Sequence, residues 1–186
     1  MQRQITGYLL LLLFAAFTWW LVERSEPDEM RLAVPPHSAD YFSTGYRKIE
    51  MNLQGKPENR LDAEKMTHYS DDDTTVLERP VMTFYKTDAL AWLIKSETGL
   101  RSPDGKLLYL NGKVVIEQFE ADGEQKLRVN TSNVRVKPAK KYAETDEWGE
   151  IITSSDWVSG TGMQIFFAEP VRLRLLSNVR SIYAAK

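Results

Sequence analysis

The sequence predicts an all-β domain carried behind one N-terminal transmembrane helix. Three observations support that reading. Residues 5–22 (ITGYLLLLLFAAFTWWLV) run for 18 residues without a charge. From about Tyr41 onward, no segment of helix length keeps a 3.6-residue apolar period. Short runs that alternate apolar and polar residues take its place, broken by Gly, Pro, Asn and Asp.

The apolar run comes first. As a helix it would be about 27 Å long, a short but workable span for a hydrocarbon core of about 30 Å. Trp19 and Trp20 stand at its far end, where amphipathic indoles favour the membrane–water boundary. A cleaved signal peptide would leave small residues at the exit, but Ala15 and Ala16 are followed by Phe17, Thr18, Trp19 and Trp20. A buried core helix would carry a polar stripe, and this run is apolar all round. Arg3 precedes the run, whereas Glu23, Arg24, Glu26, Asp28 and Glu29 follow it. The positive end stays cytoplasmic, so the rest of the chain is expected outside the cytoplasm.

The chain therefore divides into an anchor (1–22), a charged linker ending at Pro35-Pro36 (23–40) and a β domain (41–186). In that domain Leu107–Glu117 alternates most cleanly. Leu108, Leu110, Gly112, Val114 and Ile116 fall on one face, with Tyr109, Asn111, Lys113 and Glu117 on the other. Ser102-Pro103-Asp104-Gly105 ahead of it reads as a hairpin turn. Met163, Ile165 and Phe167 share a face, as do Val171, Leu173, Leu175 and Val179. Four strand–turn–strand units begin at Leu61, Ile94, Val129 and Val158, spaced 33, 35 and 29 residues apart. That spacing suggests stacked β units with sheet edges left at both ends.

Several function classes drop out. A net charge of −2 gives no basic excess for nucleic acid. With no cysteine there is no thiol catalysis, disulfide or zinc–thiolate site. No phosphate-binding or dinucleotide glycine fingerprint occurs, and Gly160-Thr161-Gly162 reads as a bulge or tight turn. His68 near Ser70 and Asp71-Asp72-Asp73 could be drawn as a triad, but sequence neighbours rarely form one. The three aspartates lack the spaced pattern of a calcium loop and read as a solvated turn. No catalytic set, cofactor or metal is expected.

The order of features resembles the lipopolysaccharide export protein LptC family. The short anchor and acidic linker are followed by Leu61-Asp62-Ala63-Glu64-Lys65-Met66-Thr67-His68-Tyr69-Ser70, then Glu78-Arg79-Pro80, then Trp92-Leu93-Ile94-Lys95-Ser96. Leu108-Tyr109-Leu110-Asn111-Gly112-Lys113-Val114 is similar to the family's L-x-L-x-G-x-V, and Ala143-Glu144-Thr145-Asp146 and Gly160-Thr161-Gly162-Met163 also fit. The resemblance implies a twisted, open β-jellyroll of stacked antiparallel strands. It implies an inner-membrane, single-pass protein whose periplasmic domain binds lipopolysaccharide. The expected partners are the LptB/LptF/LptG transporter at the membrane and the N-terminal edge, and the bridge protein LptA at the C-terminal edge.

On that reading the inward faces form the lipid groove. Parity and the resemblance together nominate Met82, Phe84, Trp92, Ile94, Leu108, Leu110, Val114, Ile116, Ile165, Phe167, Val171, Leu173 and Leu175. Which of these touch lipid and which pack the sheet is left open by the pattern. The N-terminal edge is expected at Tyr46, Ile49, Met51 and Leu53, and the C-terminal edge at Val179, Ile182 and Tyr183. A tethered scaffold with a filled core is the competing expectation. A membrane-anchored hydrolase would need convergent titratable groups.

Overall fold

The computed structural model describes residues 12–21, 37–86 and 89–183. The chain falls into two compact units, residues 1–36 and 37–186. In the first, residues 12–21 are helical with exposed side chains. Thr18 donates its hydroxyl to the carbonyls of Phe14 (3.0 Å) and Ala15 (2.9 Å), which satisfies it on the helix's own backbone. Residues 1–11 and Val22 of the expected anchor, and residues 23–36 of the linker, lie outside the described residues. Among the described residues, no helix is long and apolar enough to cross a membrane.

Among the described residues, the second unit holds ten strands: β1 (Ala39–Met51), β2 (Pro57–Tyr69), β3 (Thr74–Glu78), β4 (Val81–Lys86), β5 (Ala89–Arg101), β6 (Leu108–Phe119), β7 (Gln125–Lys137), β8 (Tyr142–Thr153), β9 (Asp156–Phe166) and β10 (Arg172–Tyr183). They form one antiparallel sheet, ordered β1-β2-β3-β5-β6-β7-β8-β9-β10, with β4 between β2 and β5. β1 opens at Ala39, so two residues assigned to the linker by sequence are strand. The four repeat units are hairpins of this sheet: β2 with β3 and β4, β5 with β6, β7 with β8, and β9 with β10.

β3 and β4 fill one slot. Both keep the same register against β2, and against β5 as far as Phe84, as if they were one strand. Arg79 and Pro80 interrupt it. Pro80 has no N–H to donate to a ladder, and Arg79 sits at φ 48. The break is still bonded on the β5 side: Arg79 N donates to Glu97 O (2.9 Å) and Ser96 N donates to Pro80 O (3.2 Å).

That break belongs to a line of irregularities crossing the sheet. Register shifts occur between Ser96 and Thr98, Leu110 and Lys113, Asn130 and Arg135, Thr145 and Trp148, and Ser177 and Arg180. Left-handed backbone falls on the same line, at Arg79, Gly112, Asn133, Gly162 and Asn178. Bulges bend a strand and increase its twist. A row of them lets every long strand turn a corner together, so one sheet makes two facing layers.

Polar side chains hold this seam. Asn133 accepts from Gly112 N (3.1 Å) and donates to Glu147 (3.2 Å), Asn178 donates to Thr161 (3.4 Å), and Arg79 pairs with Glu64. The closure is visible in one ion pair. Glu58 near the start of β2 and Lys141 just ahead of β8 are separated by four strand positions in the sheet order, yet they meet at 2.9 Å. Between the layers lies one apolar cluster fed by β2–β9, including Leu77, Ile94, Leu110, Val114, Val129 and Val136, all fully buried.

Candidate lipid groove and sheet edges

The inner face decides what this domain can hold. Alternation puts Leu108, Leu110, Val114 and Ile116 of β6 inside, and all four are buried. The bulge at Asn111 and Gly112 does not flip the later positions, because the extra residue is absorbed at the seam. Met82 and Phe84 of β4, Trp92 and Ile94 of β5, and Ile165 of β9 are buried beside them. Phe167, just beyond β9, is buried too, with its N–H donating to Lys141 O (2.8 Å). Leu173 and Leu175 are half-buried against the same cluster.

Val171 departs from the expectation. It precedes β10 in the loop after Pro170 and is 37% exposed. Parity operates only inside a ladder, and Val171 has no ladder partner.

The interior between the layers is filled. Phe167 stacks on Phe84 with centroids 4.9 Å apart, and meets Trp92 edge-on at 5.0 Å. Lys86 pairs with Glu169 above this trio. Two buried hydroxyls are bonded inside the sheet, Thr131 donating to Trp148 O (3.0 Å) and Thr145 to Ser132 O (2.8 Å), whereas the buried Thr83 hydroxyl has no hydrogen-bond partner among the described residues. A small cleft is lined by the apolar Leu61, Met82 and Leu108 together with the charged Lys48, Glu50 and Arg101. Lys48 (2.7 Å) and Asn59 (2.9 Å) both donate to Glu50 and hold its carboxyl below the usual range.

Among the described residues, both outer strands leave their far sides open. β1 pairs with β2 alone, and β10 with β9 alone. Ile49 and Met51 of β1, and Val179 and Ile182 of β10, are exposed. Tyr46 packs inward against the core. Tyr183 is a β10 residue opposite Asp156. Leu53 is corrected: it sits in the turn after β1, fully exposed, where it offers no ladder position. Sequence reading did not single out Tyr41 and Phe42, exposed aromatics on β1, although the adjacent pair was a visible signal. It also passed over Val134 and Val136, whose two-residue spacing places both in the core.

The titratable groups are spread rather than convergent. His68 contacts Thr75 (3.3 Å) and Asp73 (3.3 Å), and its ring stacks on Tyr41 at 4.6 Å. Those partners give it a structural role in the β2–β3 turn. His37, Asp71 and Asp72 lie close enough together to share a cation, but all three are exposed. Burial, then the bond to Glu144, pushes the Tyr142 phenol up to about 12.

The class defined by these observations is a rolled antiparallel β-sheet domain with an apolar interior, whose first and last strands are each paired on one side only among the described residues. The chain belongs to the LptC family: the family model "Lipopolysaccharide-assembly, LptC-related" matches residues 7–184. It is similar to the lipopolysaccharide export system protein LptC of Escherichia coli (strain K12), with 26% identity over 110 residues. That match covers 59% of this chain and 56% of the relative. The Shigella flexneri protein of the same name matches to the same extent. The fold is similar to the crystal structure of LptH from Pseudomonas aeruginosa, described as the LptA homologous periplasmic component of the lipopolysaccharide transport device. The TM-score is 0.53 at 9% identity, over 68% of this chain and 95% of that one.

Proposed function

We propose that this protein is a lipopolysaccharide-binding component of an export machinery. It would be anchored in the inner membrane by residues 1–22, with its β domain in the periplasm. It would receive lipopolysaccharide from an LptB/LptF/LptG transporter at the membrane and the β1 edge, and pass it to LptA at the β10 edge. One observation carries the reading: a continuous apolar interior runs beneath a sheet whose two edges are both unpaired.

The energetics require the layers to part. The aromatic trio fills the space, so an acyl chain must displace at least one of its rings. Burying a chain of roughly ten methylenes contributes about 8 kcal/mol. Losing the packing of one aromatic ring costs about 3–5 kcal/mol. Entry is therefore favourable where one ring gives up its packing and the other two keep theirs. The energy for extraction from a membrane comes from the transporter, since this chain has no nucleotide fingerprint.

The test is photo-crosslinking in living cells from Leu110, which is fully buried, with exposed Lys113 as control. The expected result is a lipopolysaccharide adduct at 110 and none at 113. The filled interior favours a second reading, a tethered scaffold that joins neighbours without carrying lipid. No lipid adduct at 110, in protein still joined to its partners, selects the scaffold.

A further inference from the structure

The two open edges differ in charge. On β1, Arg47 pairs with Asp62 (2.6 Å) and Lys48 with Glu50 (2.7 Å). On β10, Arg172, Arg174 and Arg180 have no ion pair among the described residues. The chain carries no acidic residue after Glu169. Elsewhere on the outer face arginines are matched, as Arg60 is with Asp62, Arg79 with Glu64, Arg128 with Glu117, and Arg135 with Glu144 and Asp146.

The three β10 arginines also share a face. Arg172 lies opposite Phe166 and Arg174 opposite Gln164. The β9 residues between them, such as Ile165, point into the core. Beyond the bulge Arg180 lies opposite Ser159, in the row of Glu150. Glu150 is committed to Trp157 Nε1 (2.9 Å) and Asn130 (2.8 Å). On the other face of β10, Leu173 and Leu175 are only half-covered.

From this pattern we propose that β10 is built to receive a strand that alternates acidic and apolar residues. The acids would face Arg172 and Arg174 outside, and the apolar residues would cover Leu173 and Leu175 inside. The proposal rests on the reading of β10 as a partner edge and adds the chemistry of the occupant. Residues two apart on a strand repeat every 6.8 Å or so, so carboxylates at the same spacing meet both guanidinium groups. Opposite charges directly across a ladder contribute roughly 0.2–1 kcal/mol each. An anionic headgroup would satisfy the arginines but leave the unpaired peptide groups and the two leucines uncovered.

The experiment uses the full chain in detergent and three synthetic peptides alternating Val with Glu, Ser or Lys. Binding is read by protection of β10 amides from hydrogen exchange. The Glu peptide is expected to bind roughly tenfold tighter than the Ser peptide at low salt, with the difference shrinking as salt rises. In the double variant Arg172→Glu, Arg174→Glu, preference is expected to pass to the Lys peptide. Equal binding of the Glu and Ser peptides overturns the charge inference and leaves the edge reading standing. Protection by none of them overturns the edge reading itself. Binding only to phosphatidylglycerol vesicles, lost in the double variant, assigns the arginines to headgroup phosphates and overturns the proposal. The three-peptide comparison on the unaltered chain holds even if the double variant fails to fold.

Discussion

Phe84 and Phe167 stack at 4.9 Å although four strands, β5 to β8, separate β4 from the end of β9 in the sheet. No flat or gently twisted sheet brings them together. The contact exists because the strands turn at the seam and one layer faces the other. The pair joins the layers where Lys86 and Glu169 also meet.

Phe167→Ala is expected to destabilise the domain by about 3–5 kcal/mol, the range for deleting a buried aromatic ring. Urea unfolding checks this. A loss under about 1 kcal/mol would mean the layers are held elsewhere.

Gly112 tests the seam. Its φ is 75°, and an added Cβ would lie 2.2 Å from the Glu97 carboxylate, which can swing away. The left-handed backbone is then the lasting cost, about 1–2 kcal/mol for Gly112→Ala. Gly123, at φ 89° in the exposed β6–β7 turn, has open space around its would-be Cβ. Denaturation of both variants separates seam from turn: Gly112→Ala should lose more, because Glu97 must also move.

Asp104 sets a pH dependence. It accepts from Ser102 Oγ (2.7 Å) and Lys106 N (3.0 Å), and these bonds pull its carboxyl down to about 2. An unfolded aspartate titrates at about 3.9. The folded state thus favours the charged form. The stabilisation is complete above about pH 4 and is lost as pH falls toward about 2. Asp104→Asn should melt lower than the parent near neutrality, with the gap closing across that acid window. Thermal melts at a series of pH values measure it. A gap that does not change with pH rules the carboxylate out as its source.

The anchor reading predicts membrane association through residues 1–22. Leu13→Arg places a charge inside the apolar run, at a cost of about 2.5–3.5 kcal/mol near a helix centre. Part of the protein should move from the carbonate-resistant membrane fraction to the soluble one. An unchanged distribution would assign membrane attachment to another part of the protein.

Much of the fold was legible from local chemistry. Period-two alternation in 108–116 identified a strand and its buried side, because side chains alternate across any extended backbone. Ser102-Pro103-Asp104-Gly105 identified its hairpin, because Gly105 takes the φ of 66° that the turn requires. The repeat starting at Leu61, Ile94, Val129 and Val158 marked the four hairpins, since each must bury one face against the next.

Other features depended on distant residues meeting. Val171 has the parity of Leu173 and Leu175 yet lies exposed, because parity assigns a face only where a neighbouring strand pairs. Sequence placed Phe84, Trp92 and Phe167 on inward faces. Only the roll of the sheet stacked them into the trio that fills the interior. The arginines of β10 could be counted in the sequence, but their lack of ion pairs among the described residues depends on which carboxylates the other strands bring within reach. The sequence by itself thus determined strands, turns and the apolar face, which follow from short-range backbone geometry. The tertiary structure decided the seam, the filled interior and the charge difference between the edges, because each depends on contacts between strands far apart in the chain.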